Sequence, residues 1–132
     1  MKELIYPTTE KIVEYNILVL SIIKTKKADK PSVLSKSKLM TVIMDSKHID
    51  GDAYDKAVVL LKGLVQKHPF ASGNRRTAFI VVKSFLLENG ETFKIKDDPS
   101  LAKTMLGIRE GYYSDADIKD WLKNGNIRSF KR

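Results

Sequence analysis

Apolar residues recur along the chain at spacings of three and four, with turn-forming residues between the runs. The pattern predicts an all-α fold of about six helices joined by short turns. The first helix begins near Thr8 or Thr9, after Pro7, with Glu10 in its first turn. Ile12, Val13, Tyr15, Ile17, Leu18, Val19, Leu20, Ile22 and Ile23 make it apolar nearly all round. That distribution predicts a central, buried helix, ended by the basic loop from Lys24 to Pro31. Ser35 is the expected N-cap of a short second helix carrying Leu39, Val42, Ile43 and Met44. SKHIDGDAYD follows, with Asp50-Gly51 as a turn signal, and reads as a small hairpin or an irregular flap.

A third helix is expected from about Ala53 to Lys67, with Ala57, Val58, Leu60, Leu61, Leu64 and Val65 inward. It must stop near His68, because Pro69 biases the residue before it away from the right-handed helical region. The fourth starts at Gly73 or Asn74 and runs to about Glu88, closed by Asn89-Gly90 in a left-handed cap. Asp98 as N-cap and Pro99 as first helical residue open a fifth, which ends at Gly111. Ser114 and Asp117 form a capping-box pattern for a sixth, which buries Ile118, Trp121 and Leu122 and stops at Gly125. TFKIK, residues 92–96, reads as a strand or a connector, and the tail NIRSFKR as frayed. The expected organisation is one domain over residues 1–125 and a basic tail over 126–132.

Length agrees with this: 132 residues make one domain. The absence of cysteine excludes disulfides, thiolate metal sites and a cysteine nucleophile, and two histidines leave little for a histidine metal site. The start MKELIYPTTEK has no apolar core of a signal peptide, and no apolar run approaches the ~18 residues of a membrane span. A soluble, cytoplasmic protein without membrane contact is expected. The net charge of +8 raises the possibility of nucleic-acid binding. Much of it sits in Lys24, Lys26, Lys27 and Lys30 and in Arg128, Lys131 and Arg132, which is the pattern of solvated loops and ends rather than of a reading surface.

One segment carries chemistry: HPFASGNRRTAF, residues 68–79, between two apolar helices. A helix N-terminus offers unpaired N–H groups and about half a positive charge, a ready site for phosphate. Ala71, Ser72, Gly73 and Asn74 are small enough to let an anion approach the backbone. Arg75 and Arg76 fall in the first turn, where the helix dipole disfavours cations unless an anion lies nearby. Such a local conflict is expected at a functional site. His68 faces the same loop, and imidazole is the usual general base near neutral pH. Phe70 is an apolar residue in a polar loop and is expected to anchor it. Base, phosphate cradle and guanidinium groups together suit transfer of a phosphate-containing group to a hydroxyl.

The segment resembles the signature of the Fic/Doc family, H-x-F-x-[D/E]-G-N-[G/K]-R, matching at His68, Phe70, Gly73, Asn74 and Arg76. GNRRTA and the helix ending in ENG look most like the death-on-curing (Doc) toxin branch, as do YPTTEKIVEYN and YYSDADIKDWL, so the resemblance spans roughly Leu4 to Leu122. It implies an all-α fold and ATP-dependent modification of a protein hydroxyl with Mg²⁺. Carried over, His68 takes the proton from a target Ser or Thr. Asn74, Arg75 and Arg76 hold phosphates, with the amides of Ala71 to Arg75 as an anion hole. The Doc-like reaction is phosphorylation of a translation elongation factor, and a toxin of this kind pairs with a small antitoxin protein.

Three positions depart from the pattern. Ser72 stands where the family has the acid that holds Mg²⁺; its hydroxyl can ligate the ion but brings no charge. Arg75 replaces the Doc lysine. Phe79 occupies the place of a further arginine in AMP-transferring Fic enzymes, which favours the Doc-like reaction. The alternatives are an AMP transferase on the same fold and a degenerate protein that binds nucleotide or antitoxin without catalysis. The resemblance also implies a flap before the motif that docks the target, here lined by Ile49 and Tyr54; a plain connecting loop is the other reading. SFLLEN, residues 84–89, fits an inhibitory pattern of Fic proteins, but Glu88 lies 14 positions beyond Asn74 on one helix, about 20 Å away.

Overall fold

A computed structural model describes residues 3–22 and 31–131 of the chain. They form six helices: α1 (Thr9–Ile22), α2 (Lys36–His48), α3 (Ala53–Gln66), α4 (Asn74–Glu88), α5 (Ser100–Arg109) and α6 (Asp115–Asn124). The all-α expectation holds: the described residues contain no strand, and residues 92–96 are a connector. The basic loop expected to end the first helix lies, at positions 24–30, outside the described residues.

The centre of the fold is α3, not the first helix. It packs against α4, α2, α6 and α5. Ala57, Leu60, Leu61, Leu64 and Val65 are buried, as the periodicity requires. The apolar sequence of α1 had predicted a central helix, but α1 lies on α4 and α2 with one face covered. Ile12, Val19 and Leu20 are buried, while Ile17, Leu18 and Ile22 are 47%, 48% and 68% exposed. Helical geometry explains this: a helix packed on one side covers one stripe, whatever the rest of its circumference carries.

The caps fall close to where the sequence placed them. Ser35 accepts from Lys38 N–H, and α2 then runs on to His48 through residues expected in the flap. Asp52 and Asp55 form a reciprocal capping box on α3, and Ser114 and Asp117 form another on α6. α5 begins one residue later than expected, at Ser100, whose N–H donates to Asp98. It ends at Arg109, two residues short of Gly111.

Two other expectations are corrected. No hairpin forms before the motif; a short turn joins α2 to α3. Within it the Ile49 carbonyl accepts from Lys56 Nζ. Tyr54 belongs to the core at 5% exposure, its hydroxyl donating to Thr92 O at 2.7 Å, so it lines no flap. The tail is not frayed over its described residues. Phe130 is buried, Tyr113 Oη donates to Arg128 O at 2.8 Å, and the Arg128 guanidinium covers the Tyr112 ring. Gly107 makes room for this: a Cβ there would lie 3.0 Å from Phe130. The aromatic Phe130, two positions from the end of the sequence, outweighs the basic character of the segment around it.

Candidate active site

The segment between α3 and α4 is held from three sides. Residues 32–35 clip it: Leu34 N–H and Ser35 N–H donate to Pro69 O at 2.8 and 3.2 Å, and Ala71 N–H donates to Ser32 O at 2.9 Å. Phe70, opposite Val33 in an isolated bridge, is 1% exposed and anchors the loop as expected. From α1, the buried Asn16 donates through Nδ2 to Ser72 O at 2.9 Å and to Thr77 Oγ1 at 3.1 Å. The chain reverses at Gly73, which caps α4 with φ +78. A Cβ there would meet Leu20 at 3.1 Å and Asn16 at 3.3 Å, so conformation and space both require glycine.

Asn74 ties the loop to itself. Its Oδ1 accepts from Phe70 N–H at 3.0 Å and its Nδ2 donates to Phe70 O at 2.9 Å. The same Nδ2 lies 3.1 Å from His68 Nδ1. The Phe70 bonds fix which end of the amide is nitrogen, so Asn74 donates to Nδ1 and the neutral His68 ring carries its proton on Nε2. His68 has φ +53, the sole positive φ at a non-glycine position among the described residues, and its side chain is exposed. Pro69 disfavours the right-handed conformation at residue 68, and the reversal into the clip selects the left-handed one.

The first hydrogen bond along α4 runs from Thr77 N–H to Gly73 O. The amides of Asn74, Arg75 and Arg76 therefore have no acceptor within the helix and are open to an anion. The amide of Ala71, expected in the same cradle, is already used by Ser32 and drops out.

A cavity of about 300 Å³ opens onto these amides, lined by His68, Ala71, Ser72, Gly73, Asn74, Arg75, Arg76 and Arg109. The structure thus brings His68 and the predicted phosphate-binding residues to one place, while Ile49 and Tyr54 line no part of it. Two contributors escaped the sequence reading. Arg109 reaches the cavity from the last turn of α5, 33 positions beyond Arg76 and outside any motif. Asn16 sits in an apolar run, and its polar character was the available signal.

The charges are one-sided. Arg76 is held by Asp97, with Nη1 at 3.1 Å from both carboxylate oxygens. Arg75 and Arg109 make no ion pair among the described residues. No carboxylate lines the cavity, and no group of three or more His, Asp or Glu among the described residues is placed to hold a metal. The neutral Ser72 hydroxyl among three guanidinium groups is a poor Mg²⁺ site, since that ion takes one or two carboxylates together with substrate phosphates. The residues present fit the phosphates of a nucleotide and do not fit a protein-held Mg²⁺.

Residues 28–86 match the family model described as the Fic/DOC family. This match ends two residues before the end of α4 and includes α2, α3 and the whole loop described above. Among curated proteins none matches the chain. The Fic/DOC match covers His68, Phe70, Gly73, Asn74 and Arg76, and leaves the Doc branch undistinguished from other members. Arg109 lies outside it. No helix among the described residues is long and apolar enough to cross a membrane.

Proposed function

We propose that the chain is a Doc-like toxin of the Fic/Doc family that transfers the γ-phosphoryl group of ATP to a Ser or Thr hydroxyl of a protein. The target proposed is a translation elongation factor, the compartment the cytoplasm, and the restraining partner a small antitoxin protein. The single observation that carries this reading is the convergence of His68, the open amides of Asn74 to Arg76 and the guanidinium groups of Arg75, Arg76 and Arg109 on one cavity. Phosphoryl transfer asks a protein chiefly for positioning and charge stabilisation, and these residues supply both.

In the transfer, the target oxygen bonds to the γ-phosphorus, the bridging bond to the β-phosphate breaks, and ADP leaves with that oxygen. The hydroxyl proton passes to His68 Nε2. With Asn74 donating to Nδ1, that position is already protonated. The ring accepts only after exchange with solvent moves its proton to Nδ1 and the imidazole swings clear of the Asn74 N–H. The exposed ring permits this exchange, and one N–H of Asn74 stays on Phe70 throughout. Arg75 and Arg109 neutralise charge on the transferred group without a competing carboxylate. No step is assigned to Mg²⁺ held by the protein.

A second reading, a nucleotide-binding protein without transferase activity, is favoured by the missing carboxylate at position 72. One experiment separates the readings. The protein is incubated with cell extract and ATP labelled at either the α or the γ phosphate. Protein label from γ is the expected result; label from α means AMP transfer, and none from either despite bound ATP means binding alone.

A further inference from the structure

A cavity of about 230 Å³ lies away from the loop and shares no residue with the cavity at His68. Three stretches of chain meet around it: the connector before α5, the first turns of α5, and the end of α6 with the tail. Trp121, the single tryptophan of the chain, forms part of its wall. The residue is 4% exposed, yet its Nε1–H donates to no acceptor among the described residues. A buried indole N–H normally finds a partner. No fully buried side-chain nitrogen or oxygen among the described residues lacks one, so this N–H is not sealed in the core. It reaches the surface where Trp121 meets the cavity.

The rest of the lining is rich in donors. Lys96 and Lys103 are exposed and make no ion pair among the described residues, and the Ser129 hydroxyl makes no hydrogen bond there. The Ser100 and Thr104 hydroxyls already donate, to Asp98 and to Ser100 O. The Arg128 guanidinium lies over the Tyr112 ring and beside Asp117, so it is engaged as well. No carboxylate lines the cavity. Asp98, next to it in sequence, is held by Ser100 and feels Lys96 without pairing with it. Two free ammonium groups, a free indole N–H and no carboxylate make a cavity that attracts an anion.

We infer that this cavity binds a small phosphate monoester. The phosphate accepts from Trp121 Nε1–H and from the Lys96 and Lys103 ammonium groups, with the Ser129 hydroxyl as a further donor. The organic part packs on Ile95, Leu101 and Ile127, which give the cavity its aliphatic wall. Charge selects the phosphate: a monoester carries roughly −1.5 to −2 at neutral pH, which matches two lysines, whereas a carboxylate brings a single charge. Size selects the carrier. A water takes about 30 Å³, so a bare phosphate leaves most of the cavity empty, and an organic group of about one ring fills the remainder.

The chain carries its own probe. With one tryptophan, the nitrogen-15-labelled full chain gives one indole N–H resonance, that of Trp121, so the cavity is read apart from any phosphate bound at the loop. Phenyl phosphate, inorganic phosphate and phenol are titrated against it. The expected result is a saturable downfield shift with phenyl phosphate, the same shift at higher concentration with inorganic phosphate, and none with phenol. Lys96→Ala combined with Lys103→Ala removes two exposed side chains and should raise the Kd for phenyl phosphate about tenfold or more. An indole resonance that neither phosphate moves overturns the proposal, and needs no variant to fold. A shift with phenol equal to that with phenyl phosphate overturns it too, because the cavity then takes the ring and not the anion. So does a folded double variant that keeps the parent's Kd.

Discussion

Asn74 donates to His68 Nδ1 across 3.1 Å while its other two hydrogen bonds grip Phe70. The residue that starts α4 thus also sets the tautomer of the histidine beside it. Nitrogen NMR of the free protein at a pH where the ring is neutral should show the proton on Nε2. In Asn74→Ala the preference should vanish. The same substitution strands the N–H and C=O of the buried Phe70, and should cost about 1–3 kcal/mol for each group in denaturant unfolding.

His68 occupies a left-handed conformation that costs a non-glycine residue roughly 1–2 kcal/mol. His68→Gly relieves that cost while adding the chain entropy of glycine, about 0.5–1 kcal/mol. The variant should unfold within about 1 kcal/mol of the parent and yet transfer no label from γ-labelled ATP. Undiminished transfer by the folded variant would remove His68 from the chemistry.

Asp97 pairs with Arg76 and, on the proposed reading, would compete with phosphate for it. Asp97→Asn should tighten the binding of inorganic triphosphate, and Arg76→Ala should weaken it, by about 1.5–3 kcal/mol if the guanidinium makes a charge-assisted contact. Titration calorimetry of both variants checks the two directions. An unchanged affinity in Arg76→Ala would assign the anion to Arg75 and Arg109 alone.

Ser72 leaves the cavity without a carboxylate. Ser72→Asp supplies the hard, charged ligand that Mg²⁺ prefers, and should lower the Mg²⁺ concentration at half-maximal transfer or create activity where there was none. A Mg²⁺ titration of γ-label transfer by the parent and the variant reads this directly. If the parent is active and Ser72→Asp shows no greater metal affinity, position 72 is not where the ion sits.

The acid limb of stability should depend on Asp55. Lys119 hydrogen-bonds its carboxylate at 3.0 Å, the Asp52 N–H adds a second bond, and both hold the carboxyl below its ordinary range. A carboxyl depressed on folding contributes stability that is present above its unfolded pKa and is lost as pH falls through its folded one. Asp55→Asn should lower the thermal midpoint near neutral pH and flatten its decline below about pH 4. Parallel pH profiles for parent and variant would exclude the pair from acid unfolding.

Local chemistry was legible in the sequence. The caps at Ser35 and Ser114, the stop before Pro69 and the start of α4 at Gly73 each depend on a few neighbouring residues, so reading them required no knowledge of packing. The same holds for the loop from His68 to Arg76, whose glycine, small residues and arginines announce an anion-facing helix start. Which apolar stripe finds a partner is a property of the assembled helices. α1 is as apolar as a buried helix, but it is packed on one side and leaves Ile17, Leu18 and Ile22 outside. The fate of individual hydrogen-bonding groups was settled at the same level. Ala71 N–H pairs with Ser32, 39 positions away; Tyr54 Oη finds Thr92; and Arg109 meets the loop across the bundle. Sequence therefore determined the elements and the anion-facing loop, because those follow from short-range backbone preferences and pattern. The tertiary structure alone decided which amides stay open and which charges share a cavity, because each depends on surfaces brought together from distant parts of the chain.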